Sequence, residues 1–145
     1  LGALAAILLL IQFVPIDRSV PAINAQADFL VATDAPQAIA TTIRAACYDC
    51  HSYNTTYPWY AKVAPLSFWL QSHVKGGRSE LNFSNWTSYP ADKAAHKLEE
   101  CAEEVSERHM PLRSYTWLHP NARLSDAQVS ALSQWFAEMG ARYQQ

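Results

Sequence analysis

The pentapeptide Cys47-Tyr48-Asp49-Cys50-His51 constrains this chain more than any other stretch. Two thiols three positions apart match the two vinyl groups of a haem, and the residue that follows offers an imidazole to the iron. The spacing reads as a c-type haem attachment site, so the fold must be built around one large flat group. A structural zinc site needs a second close pair of Cys or His ligands; the only further thiol is Cys101 and no H-x3-5-H pair exists. A thioredoxin-like dithiol needs a βαβ setting, and no strand-rich unit surrounds residues 47–51. A plain Cys47–Cys50 disulfide is the bland alternative.

An iron carrying His51 needs a second axial ligand or an open position. The candidates are Met110, Met139, His73, His96, His109 and His119. A thioether opposite a histidine is the ligand set of electron-transfer cytochromes c and raises the potential. Met110 sits in R-H-M-P-L-R-S-Y, where Pro111 biases it toward extended backbone. Met139 falls on the apolar stripe Leu132, Trp135, Phe136, Met139, the pattern of a helix core. His109 is the nearest rival. His96 lies among charges, and His119 precedes Pro120 in a loop pattern.

Three stretches then fall in order: C-Y-D-C-H-S-Y-N-T-T-Y-P-W-Y-A-K-V-A-P, H-V-K-G-G-R-S-E-L-N-F-S-N-W and M-P-L-R-S-Y-T-W-L-H-P. From about Ala40 to the last helix, the chain resembles the bacterial haem-binding domain family of monohaem c-type proteins. The resemblance implies Cys47 and Cys50 as thioether anchors of one covalent haem c, His51 as proximal ligand and Met110 as distal ligand. It also implies export, because covalent haem belongs to compartments outside the cytoplasm.

At 145 residues one compact domain is expected. Five Trp and seven Tyr supply material to pack around a flat cofactor. A net charge of −2 with no basic cluster argues against nucleic acid. Leu1 to Val14 carries no charge and only Gln12 is polar. A full span needs about 20 apolar residues, so the run is short. It reads as a signal anchor rather than a removed signal, because Ala25-Gln26-Ala27 matches a cleavage site only weakly. The expected division is a membrane anchor over 1–16, a linker over 17–33 and a c-type haem domain over 34–145.

The expected fold is all-α, a cytochrome c-like haem domain of about four helices behind the N-terminal membrane-anchor helix. Asp34-Ala35-Pro36 opens the first helix, which delivers Cys47. The second starts near Pro65 and stops at Gly76-Gly77. Residues 82–86 are loop, the third helix runs from Pro90 to about Arg108, and 112–123 is loop. Ser125 to Gln128 is a capping box opening the last helix, which reaches about Tyr143. Cys101 recurs with Ala94, Leu98 and Val105 at helical spacing, so it reads as a small packed hydrophobe away from the haem clip. Glu100, Glu103, Glu104 and Glu107 share one face; a solvated face is the simpler reading, and a patch for a basic redox partner the sharper one.

The functional expectation is a membrane-anchored electron carrier rather than an enzyme. It would pass single electrons to or from a membrane redox complex, in the bacterial inner membrane with the haem on the periplasmic side. The alternatives are a haem enzyme or gas sensor with a displaceable sixth ligand, and a scaffold subunit.

Overall fold

A computed structural model describes residues 2–145, and every regular element among them is helical. The α-helices are α1 (Gly2–Leu10), α2 (Phe29–Ala32), α3 (Gln37–Ala46), α4 (Tyr48–His51), α5 (Leu66–Glu80), α6 (Ala91–Ser106), α7 (Arg113–Leu118) and α8 (Asp126–Tyr143). The four longer helices of the haem domain are the four expected from periodicity. The additional ones, α2, α4 and α7, run four to six residues and are too short to carry a period.

The backbone of the domain is the antiparallel pair α6–α8. Gly140 of α8 lies against Ala95 and Leu98 of α6, while at the other end Arg108 pairs with Asp126. The amphipathic faces dictate this pairing. Leu98 and Val105 from α6 and Leu132, Phe136 and Met139 from α8 are buried, as the stripes predict. The capping box forms: Gln128 N–H donates to Ser125 Oγ and Ser125 N–H to Gln128 Oε1. Phe29, Phe83 and Trp86 close the core, with Phe29 stacked on Phe83 at 4.9 Å between ring centres and edge-on to Trp86 at 4.6 Å. Trp86 is buried because its indole N–H donates to Tyr143 Oη at 2.8 Å. Phe29 belongs to the stretch 17–33 expected as a linker, yet it is fully buried.

Two boundaries differ from expectation. α5 does not stop at Gly76-Gly77 but continues to Glu80. Residues 112–123 hold α7 and a 3-10 turn at Pro120–Ala122 instead of plain loop.

The expected N-terminal anchor helix does not form a membrane span among the described residues. α1 extends for nine residues, about 14 Å at the α-helical rise, against a hydrocarbon core of about 30 Å. No helix among the described residues is long and apolar enough to cross a membrane, and Leu1 lies outside those residues. The helix ends because Gln12 turns onto the domain. Its Nε2 donates to Ala64 O at 3.0 Å and its Oε1 accepts from Ala64 N–H at 3.0 Å. Beyond it Val14, Pro15 and Ile16 line a cleft along α5.

Candidate haem site

α3 ends at Cys47, whose backbone departs from helical values, and α4 restarts for a single turn. That turn places Cys47, Cys50 and His51 at i, i+3 and i+4, on one side of the chain. Cys47 O accepts from Cys50 N–H at 3.2 Å and from His51 N–H at 2.9 Å. The turn is pinned from both flanks. Buried Tyr48 donates from its hydroxyl to Asp28 Oδ1 at 2.9 Å. Asp49 Oδ2 accepts from Tyr115 Oη at 2.7 Å, and Asp49 Oδ1 accepts from Thr56 N–H at 2.8 Å.

His51 is held as a metal-ligating imidazole is held. Its Nδ1 lies 2.9 Å from Gly77 O and 3.1 Å from Leu81 O. Both are carbonyls and can only accept, so Nδ1 carries the proton and Nε2 keeps its lone pair. Backbone acceptors on the second nitrogen fix tautomer and ring plane, as in metal sites generally. Burial also holds the imidazole below its ordinary pKa, favouring the neutral ligand form.

Gly77 makes this approach possible. A Cβ there would lie 2.8 Å from Cys50 O, closer than side chains come to backbone. The two helices meet because that position has no side chain. Neighbouring Gly76 has nothing within 4 Å and carries no such duty.

Two cavities flank His51, of about 430 and 370 Å³. Cys47 lines the first and Cys50 the second, while Ala46, His51, Glu80, Met110 and Pro111 line both. Met110 reaches this place through the end of α6. Arg108 adopts a left-handed backbone with φ 60°, His109 N–H bonds back to Glu104 O, and Arg108 N–H bonds to Val105 O. This is a Schellman ending. Met110 N–H also donates to Glu104 O, at 3.0 Å, so the first residues past the helix fold over the cavity.

The other ligand candidates fall elsewhere, with one exception. Met139 is buried in the α6–α8 core. His96 is exposed beside Glu100, and His109 is exposed beside Glu104 and Glu107. His119 stacks on Tyr115 with ring centres 4.1 Å apart. His73 lines the second cavity, its Nδ1 2.9 Å from Trp69 O.

The thiols are protonated at neutral pH. Burial, with Cys50 nearby, pushes Cys47 up to about 12; burial, with Asp49 nearby, pushes Cys50 up to about 11. Cys101 is also raised by burial, with Cys47 the next cause, and it lines the first cavity. Its helical spacing holds, but its reading as remote from the clip does not: the stripe that buries Leu98 and Val105 turns Cys101 to the cavity wall. Glu100, Glu103 and Glu104 line the same cavity, with Lys97 bonded to Glu100 Oε2 at 2.7 Å.

Among the described residues no three His, Cys, Asp or Glu converge as a metal cluster would require. The donors instead comprise one oriented imidazole, two thiols one helical turn apart and a thioether around a slot of two adjoining cavities, whose apolar walls of Leu81, Phe83, Val105 and Phe136 meet a rim of glutamates. That donor set fits a haem. The family model for a haem-binding domain matches residues 6–138. The chain belongs to the haem-binding domain family. No curated protein and no solved structure matches the chain. Within a haem-binding domain, Gly77, the Leu81 carbonyl, Asp49 and Tyr115 become part of the site, although the sequence singles out none of them for it. The only sequence signal among them is a glycine pair inside an otherwise helical pattern, which points to close packing.

Proposed function

We propose that this haem-binding domain is a monohaem c-type cytochrome that carries single electrons, with Cys47 and Cys50 as thioether anchors and His51 and Met110 as axial ligands. The observation that carries the reading is His51: Nδ1–H spent on Gly77 O and Leu81 O, Nε2 free, between two cavities of which one is lined by Cys47, the other by Cys50, and both by Met110. The bound group supplies an iron that takes up and gives back one electron. The chain's own part is to fix the imidazole, to offer the thioether from a hydrogen-bonded turn and to exclude water with Leu81, Phe83, Val105 and Phe136. We read the partner as a membrane redox complex, and the site of action as the periplasmic face of a bacterial inner membrane.

The second reading, a haem enzyme or gas sensor, has one observation behind it. His73 and Tyr115 share the second cavity with Met110 and could serve a displaceable sixth position.

Intact-mass measurement should find one haem that survives acid-acetone extraction. Met110→Ala should lose the far-red ferric band of thioether ligation, keep the haem attached and lower the potential. Met139→Leu should change neither, at a packing cost under about 1.5 kcal/mol. A Met110→Ala spectrum like the parent's, with a His109 or His73 substitution altering it, would mean that the haem is bis-His and that the proposed ligand set is wrong.

A further inference from the structure

Large apolar side chains are exposed outside the slot, with Trp69 among them packing on His73 of the second cavity. Trp59 and Trp117 are 76% and 78% exposed, and Val63, Leu66, Trp69 and Leu118 are open as well. They are held together by contacts beneath them. Trp59 is edge-on to Tyr60 at 5.8 Å between ring centres, and Tyr60 packs on His119, next to Leu118. Val63 and Leu66 flank Ala64, whose backbone is clamped twice by Gln12. Arg18 fixes the same neighbourhood, donating to Ala61 O and lying 4.5 Å from the Tyr57 ring centre. α1 therefore leaves the domain beside this surface, and it is apolar on all sides with no buried residue.

The charges on these segments are of one sign. From Tyr53 to Ser79 the charged residues are Lys62, Lys75 and Arg78; from Pro111 to Ser125 they are Arg113 and Arg123. Neither segment contains a carboxylate, whereas the cavity rim carries Glu100, Glu103 and Glu104. Exposed tryptophans, an adjoining apolar helix and the cations Lys62 and Arg113 on the same segments are the chemistry of a surface lying in a lipid headgroup layer.

We infer that this face, formed by residues 59–69, α7 and α1, rests on an anionic bilayer and so sets how the haem domain is oriented there. The inference rests on the membrane-associated reading above, but assigns a face that reading leaves open.

The test is hydrogen exchange of the holo chain, free, with phosphatidylcholine vesicles, and with vesicles containing phosphatidylserine as well. Amides of 59–69 and 113–119 should slow on binding, more with phosphatidylserine, while 96–107 stay unchanged. Trp59→Ser combined with Trp117→Ser alters only exposed side chains. It should weaken vesicle binding at least about tenfold. Slowing confined to residues 2–16 would overturn the face and leave membrane association standing. No binding to either vesicle would overturn both. Unchanged vesicle affinity in the double variant, with slower haem reduction by native membranes, would make this a protein-docking surface and also overturn the inference.

Discussion

Gly77 and Gly76 are adjacent and chemically identical and both border the second cavity, yet only Gly77 packs against the backbone of Cys50. At Gly77 a methyl would meet Cys50 O at 2.8 Å, and the obstacle is backbone, which cannot rotate aside. Gly77→Ala must therefore push α5 away from α4, taking with it the carbonyls that hold His51. We expect a loss of about 1–3 kcal/mol in thermal or denaturant unfolding, with a perturbed His51 ligand field in the absorption spectrum. Gly76→Ala meets nothing within 4 Å. It should stabilise by up to about 1 kcal/mol through helix propensity alone, with an unaltered spectrum. Equal effects of the two changes would refute the close-contact role. The sequence announces His51 through its thiols, but the atoms that orient His51 are main-chain carbonyls. A carbonyl leaves no mark on residue identity, so Leu81 was illegible and Gly77 looked like a helix end.

The ending of α6 acts at the scale of an element. Its left-handed residue is Arg108, where glycine is the usual choice, and the turn it allows brings Met110 over the slot. The Arg108 side chain pairs with Asp126, but that carboxylate is 97% exposed and the pair contributes little. Arg108→Gly should then preserve the Met110 geometry and raise stability by up to about 1 kcal/mol, the relieved cost of a side chain at positive φ. Calorimetry and the far-red band together check it; a lost band would mean that the arginine side chain, not the turn, seats Met110. The long helices were legible because 10 to 18 residues give an amphipathic stripe room to repeat. The break in helix at Met110 was marked in the sequence by Met-Pro, but α2, α4 and α7 were not. Each is only a turn or two, and each exists because long-range partners hold it: Asp28 with Tyr48, Asp49 with Tyr115. Such bonds join residues 20 and 66 positions apart, beyond any local pattern.

Across the whole molecule the distribution of charge matters more than its near-zero sum. The net charge is −2, but Glu100, Glu103 and Glu104 gather at the slot while the aromatic segments carry cations only. Read as sequence, the glutamates at i, i+3, i+4 and i+7 looked like an ordinary solvated face. The fold shows three of them lining the cavity, which no helical wheel of α6 reveals without knowing where α4 lies. On the proposed electron-transfer reading, electrons that enter or leave through this rim pass a local negative potential that the net charge does not reveal. Small reagents expose the difference, because Coulomb forces over the rim fall off within about 8 Å at physiological ionic strength. Reduction of the ferric protein by hexaammineruthenium(II), a cation, should slow as salt is added. Reduction by ferrocyanide, an anion, should speed up under the same change. Replacing Glu100, Glu103 and Glu104 by Gln should flatten both dependences without altering the absorption spectrum, since none of them is a ligand candidate. Stopped-flow rates over a salt series decide it: dependences that share one sign for both reagents, or that survive the triple change, would mean that electrons reach the haem by another edge.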